Sequence, residues 1–116
     1  MFTIIKRREL NPTVTELCIH APLIAKKAKA GQFIIVRAKE NSERIPLTIA
    51  DADERRGTIT LVVQAVGHST ELICALEVGE ELTDVVGPLG HPTRIEKYGT
   101  VVCCGGGVGV APLLPI

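Results

Sequence analysis

The sequence predicts a mainly β protein that passes, near its C-terminal end, into the opening of an α/β unit. Three observations carry this expectation. Val contributes 12 residues, Ile 12 and Thr 10, so 34 of the 116 residues are β-branched, and stiffness at χ1 suits strands better than helices. Strand-like runs recur at short intervals between Gly, Pro, Asn and Asp, the sequence form of a compact antiparallel barrel or sandwich. From Thr100 a continuous apolar run leads straight into GGGVGVAP, which reads as a buried parallel strand, a Gly-rich turn and a helix start with Pro in its first turn.

In chain order the predicted strands are residues 2–7, 13–20, 32–38, 45–50, 58–66 and 82–86. Between the second and third, residues 22–30 predict a turn of helix with Lys26, Lys27 and Lys29 outward, a solvated face rather than a binding patch. Residues 69–76 predict one short helix. Ser69 or Thr70 caps it, Glu71 favours its first turn, Leu72, Ile73 and Leu76 recur at helical spacing, and Gly79 follows its end. GPLGHPT, residues 87–93, predicts a turn-rich connection. A lone βα start cannot cover its own apolar strand. The expected organisation is therefore a β domain over residues 1–98 and the severed start of a second domain over 99–116, whose uncovered strand frays or self-associates through residues 100–116.

Composition narrows the function. The 13 Lys and Arg balance the 13 Asp and Glu, so there is no global positive field to gather nucleic acid or anionic lipid. Phe2, Phe33 and Tyr98 are the only aromatic residues, too few for the stacking platforms of single-strand readers. Cys18, Cys74, Cys103 and Cys104 show no C-x-x-C pair and no regular spacing, so neither a disulfide framework nor a metal site is expected. The N-terminus MFTIIKRREL has too few apolar residues for a signal-peptide core, which makes a cytoplasmic location the expectation. Gly and Pro crowd the uncharged stretch 98–116 and argue against a membrane helix. His20, His68 and His91 stand in no triad or metal-spaced pattern.

Three segments offer phosphate chemistry. Gly105, Gly106, Gly107 and Gly109 present backbone N–H groups unobstructed by Cβ atoms, which suits either a dinucleotide loop or a tight structural turn. Val110 stands where G-x-G-x-x-G needs its third Gly, and no Lys-Ser/Thr follows for a Walker A loop. Gly67, Ser69 and Thr70 repeat the strand-glycine-helix arrangement inside the β domain, although an ordinary helix N-cap is the plainer reading. Arg44, ordinarily a surface charge in such a position, adds a guanidinium fork ahead of Thr48, which offers a hydroxyl and a backbone N–H.

GQFIIVR, RIPLTIAD, VGHSTEL, GPLG and GGGVGVAP stand in the order and spacing of the ferredoxin-NADP reductase superfamily. Across essentially its whole length the chain resembles, within that superfamily, the FAD-containing small subunits of NADH-dependent ferredoxin:NADP oxidoreductases, also called sulfide dehydrogenases. It is also similar to dihydroorotate dehydrogenase electron-transfer subunits. The resemblance implies a six-stranded antiparallel Greek-key barrel that binds FAD. It further implies a following NAD(P)-binding domain, a [2Fe-2S] cluster whose cysteines are not in this chain, and a larger catalytic or ferredoxin-linked partner subunit.

By the same resemblance, Ile45, Pro46, Leu47 and Thr48 occupy the flavin motif, with Thr48 near flavin N5 and Leu47 in the place of the ring-stacking Tyr. Arg44 stands four residues before Thr48, one further than in the common motif. Val62, Val63 and Gln64 match the strand bordering the flavin, Gly67, Ser69 and Thr70 the pyrophosphate turn, and Gly105, Gly106, Gly107 and Gly109 the NAD(P) loop. The implied activity is electron transfer between NAD(P)H, FAD and an iron-sulfur centre or ferredoxin, with the chain alone inactive. The alternative is a small β-barrel interaction module of the OB type without flavin.

Overall fold

The structure is a computed structural model that describes residues 2–93 together with Gly99, Val102, Ala111 and Pro112. It begins with a hairpin of β1 (Phe2–Asn11) and β2 (Val14–His20). The Asn11 carboxamide oxygen closes its turn by accepting from the Thr13 N–H at 2.9 Å and the Thr13 hydroxyl at 3.1 Å, the Asx arrangement that lets a side chain stand in for a turn carbonyl. Pro22 then starts α1 (Pro22–Lys27), where its missing N–H costs no helical bond. Ile24 and Ala25 are buried and Lys26 and Lys27 exposed, as the amphipathic reading of residues 22–30 expects.

The remaining strands are β3 (Phe33–Arg37), β4 (Ile45–Thr48), β5 (Asp51–Asp53), β6 (Thr58–Gln64), β7 (Glu81–Leu82) and β8 (Asp84–Leu89), with α2 (His68–Cys74) between β6 and β7. They form a five-stranded antiparallel sheet in the order β5-β6-β2-β1-β7 and a three-stranded one in the order β4-β3-β8. Ile4, Leu17 and Ile19 of the larger sheet, Ile59, Leu61 and Val63 of β6, and Ile34 and Val36 of β3 are almost completely buried together, closed over by Ile73 and Leu76. Their alternation with more exposed neighbours in β3 and β6 is the period-two pattern of strands buried on one face.

The chain changes sheets at Ile49 and Ala50, both buried. The Ile49 N–H donates to the Gln32 carbonyl at 3.1 Å beside β3, and the next N–H, of Ala50, donates to the Thr60 carbonyl at 2.9 Å in β6. Below this joint β4 lies against β6 without pairing to it.

Three expectations need correction, and a fourth falls outside the described residues. The described residues form eight strands rather than six, because the change of sheet splits residues 45–50 from β5 and residue 83 interrupts the last run. Gly87, Pro88 and Leu89 belong to β8 rather than to a turn, with Leu89 opposite Phe33. Pro tolerates an edge strand, where no neighbour asks for its N–H, and β8 is such an edge. The N-cap of α2 is Gly67, not Ser69 or Thr70. The predicted strand at 100–104 and the loop Gly105, Gly106, Gly107 and Gly109 lie outside the described residues except for Val102, which is exposed.

Candidate functional site

A cleft of about 470 Å³ opens between the loop before β4 and the start of α2, lined by Asn41, Ser42 and Glu43 on one side and by residues 66–70 and Leu72 on the other. The Thr70 hydroxyl shapes its floor. It accepts the N–H groups of Val66 at 2.9 Å and Gly67 at 3.0 Å and donates to the Gly67 carbonyl at 3.0 Å. The first helical bond runs from the Glu71 N–H to the Gly67 carbonyl, so the amides of His68, Ser69 and Thr70 precede the ladder and have no partner within it.

Gly67 is the informative residue here. Its φ of −163° is extended backbone open to any side chain, and a Cβ built on it would meet nothing within 4 Å. Glycine is a favoured N-cap residue, and because the space beside it is open, its missing Cβ also leaves the backbone of the cleft wall free for close approach. Ser42 gives a second sign. Its Oγ is buried without a hydrogen-bond partner among the described residues, and a buried hydroxyl left unpaired carries a desolvation cost of about 1–3 kcal/mol.

Of the residues the resemblance assigns to the flavin, Gly67, Ser69 and Thr70 line this cleft, whereas Ile45, Pro46, Leu47, Thr48, Val62, Val63 and Gln64 do not. Ile45 and Leu47 pack against the core while Pro46 is exposed, and Thr48 is half-buried opposite Phe33 of β3. Val62 and Gln64 flank Val63, whose side chain is in the core, so Val63 offers the site only its backbone. Arg44 is not among the residues lining the cleft. Its Nη2 lies 3.2 Å from Asp84 Oδ2, which Arg37 Nη2 also approaches at 2.6 Å. Register explains the grouping, since Arg37 faces Asp84 across β3 and β8 and Arg44 extends the row from β4. Across the cleft the Glu43 carboxylate accepts the Ser69 hydroxyl at 3.5 Å.

The cleft offers hydroxyls and unused amides, a donor set suited to a polyanionic ligand, while the Arg44 guanidinium stands outside it on Asp84. Glu43 opposes such a ligand by its charge. The exposed Arg44–Asp84 pair is worth no more than about 1 kcal/mol, so Arg44 is readily exchanged to another anion. Among the described residues no cluster of three or more His, Cys, Asp or Glu has metal-holding geometry, and no helix is long and apolar enough to cross a membrane.

No protein-family model matches the chain. The dihydroorotate dehydrogenase B (NAD(+)) electron transfer subunit homolog of Thermotoga maritima is 44% identical over 97% of this chain and 40% of its own length. The corresponding electron transfer subunit of Shouchella clausii is 37% identical over 96% of this chain and 45% of its own. The solved structure of an NADH-dependent reduced ferredoxin-NADP oxidoreductase involved in flavin-based electron bifurcation superposes with a TM-score of 0.97 at 43% identity, covering 99% of this chain and 42% of that one. The chain belongs with the ferredoxin-NADP reductase superfamily. It spans about two fifths of the length of the relatives it matches. Phthalate dioxygenase reductase, at a TM-score of 0.78 and 16% identity, shares the fold.

Asn41, Ser42, Glu43 and the Arg37–Asp84 pair carry no local signal in the sequence. The loop residues carry no spacing signal, because they reach the cleft only through the pairing of β4 with β3. Arg37 and Asp84 lie far apart in sequence and meet only through the register of β3 and β8.

Proposed function

We propose that the chain binds FAD and serves as the flavin module of an oxidoreductase subunit that passes electrons between NAD(P)H, FAD and an iron-sulfur centre or ferredoxin. The observation that carries this reading is a cleft lined with hydroxyls and helix-start amides outside the helical ladder, whose wall at Gly67 carries no side chain. The similarity to electron transfer subunits supports it. In this reading the two sheets are the halves of one Greek-key barrel. Residues 1–98 form the FAD domain and residues 99–116 begin the NAD(P)-binding domain, with Gly105, Gly106, Gly107 and Gly109 in its dinucleotide loop.

The roles follow from chemistry available on each element. The amides and hydroxyls of Ser69 and Thr70, with Gly67 allowing close approach, hold the pyrophosphate. Arg44 leaves Asp84 to join them. The backbones of Val62, Val63 and Gln64 on β6 and of Ile45, Pro46 and Leu47 on β4 border the isoalloxazine, where the two strands adjoin without a ladder between them. Thr48 holds a hydrogen bond at N5 from the end of β4. Bound FAD supplies hydride acceptance and single-electron release, and the chain contributes placement and electrostatics. A larger catalytic or ferredoxin-linked subunit is the partner, and the chain by itself does not turn over.

Ligand linkage tests the reading. FAD at about 100 times its Kd stabilises a one-site protein by roughly 2.7 kcal/mol, so saturating FAD is expected to raise the melting temperature while the purified protein takes up flavin absorbance. A melt that FAD leaves unmoved, with no flavin retained, overturns the proposal in favour of an interaction module without flavin.

A further inference from the structure

We infer that Gln32 is a positioning residue that couples the Thr48 end of β4 to the segment leaving β8, and thereby fixes the direction in which the chain departs from the FAD-binding domain. The inference rests on the FAD reading above for what lies at Thr48, and on the structure for the coupling itself.

Gln32 makes four hydrogen bonds to three separate parts of the chain. Its backbone N–H donates to the Lys29 carbonyl at 3.2 Å and its carbonyl accepts the Ile49 N–H, the residue after Thr48, at 3.1 Å. Its side chain works in the other direction. Oε1 accepts the Lys29 N–H at 2.9 Å, and Nε2 donates to the carbonyl of Gly90, the residue after β8, at 3.0 Å. One residue thus bridges the end of β4 and the end of β8 across β3, which lies between those strands.

The surroundings are built for that bridge. The Thr93 N–H donates to the Ala30 carbonyl at 2.7 Å. Gly31, at a φ of +88°, brings its backbone so near Thr93 that a Cβ would collide with the Thr93 hydroxyl and lie 2.8 Å from its nitrogen. Gly90, at a φ of +82°, leaves room for the Phe33 ring, which a Cβ would approach to 2.9 Å. Phe33 is paired with Thr48 on one side and Leu89 on the other. Two left-handed glycines and a bidentate carboxamide therefore hold residues 90–93 against the start of β3, where Phe33 pairs with Thr48 of β4. Unlike Gly67, both glycines are required by contacts within the chain.

Amide exchange at Thr93 reads the coupling. In the wild-type chain FAD is expected to slow that exchange, because ordering Thr48 and Ile49 tightens Gln32. Gln32→Ala removes the side-chain bonds and keeps the backbone ones, so exchange at Thr93 without ligand is expected to rise about tenfold. FAD should still bind with its affinity changed by less than about twofold, since Gln32 is outside the proposed flavin contacts. The slowing by FAD should disappear. Gln32→Glu separates this role from simple support of the α1–β3 turn, because the carboxylate still accepts the Lys29 N–H and has no donor for the Gly90 carbonyl. It is expected to behave at Thr93 like Gln32→Ala. Rescue of Thr93 protection by Gln32→Glu, or wild-type exchange in Gln32→Ala, overturns the inference. A wild-type chain that takes up no FAD overturns the proposed cofactor instead, and the coupling is then decided by the ligand-free exchange of the three proteins.

Discussion

At the scale of single residues, Gly67 and Cys74 show how burial and vacancy make opposite predictions. A methyl group on Gly67 points into open space, and the loss of N-cap preference is offset in part by the lower chain entropy of Ala in the unfolded state. Gly67→Ala should therefore shift the denaturation midpoint little while lowering FAD affinity by about tenfold or more. Unchanged flavin affinity in that variant would remove Gly67 from the site. Cys74 is buried, which pushes its thiol above its ordinary value of 9.0, while a hydrogen bond with Thr15 and the charge of Arg7 pull it back. Its Sγ also donates to the Val63 carbonyl at 3.5 Å, a bond the thiolate cannot make. A folded-state value above the unfolded one means that the unfolded chain gives up this proton first. The resulting stability is complete below the ordinary thiol range and is lost as pH rises through and beyond 9.0. Relative to Cys74→Ala, the wild type should thus lose stability on the alkaline side. Parallel urea titrations of the two proteins test it, and a difference independent of pH would contradict it.

At the scale of elements, α2 is a short helix held from outside. It has no basic residue in its last turn, and Arg7 of β1 supplies the missing cation, its Nε and Nη2 donating to the Cys74 carbonyl at 3.2 and 2.7 Å. Bonds from a charged donor to an unpaired helix-terminal carbonyl add to the favourable charge at that end of the dipole. Arg7→Ala should cost about 2 kcal/mol in chemical denaturation, and Arg7→Lys, which keeps the charge without the fork, should recover only part of it. A loss within about 0.5 kcal/mol would show the cap to be idle. The same element marks what sequence can disclose. Residues 69–76 read as a helix because Leu72, Ile73 and Leu76 follow its period, and Gly67, Ser69 and Thr70 read as a phosphate turn because local spacing creates it. Arg7 was invisible, because its partner is 67 residues away and is a backbone carbonyl. The split of residues 45–50 was hidden for a related reason. Ile49 and Ala50 are as apolar as a strand centre, and only the two hydrogen bonds that send them to different sheets reveal the joint.

At the scale of the whole molecule, every member of the buried core among the described residues lies between Ile4 and Val85. The described sheets, helices and cleft are likewise built from residues before Gly90, and the departing chain is fastened to them by Thr93 at Ala30 and by Gly90 at Gln32. Cooperative unfolding follows the residues that share a core, so on the proposed division between residues 98 and 99 the segment from Thr100 onward should add little to the stability of the β domain. Removing residues 100–116 is therefore expected to leave the melting temperature within a few degrees of the full chain, with FAD binding retained, since the proposed flavin contacts all precede Thr93. The nucleotide-loop glycines go with the deletion, and the truncated chain should consequently bind FAD but show no response to NADH or NADPH in its flavin spectrum. Thermal melts with and without FAD test both halves of the statement. A truncated chain that loses its cooperative melt would show that residues 100–116 complete the core of the β domain, and the division between residues 98 and 99 would then have to be withdrawn.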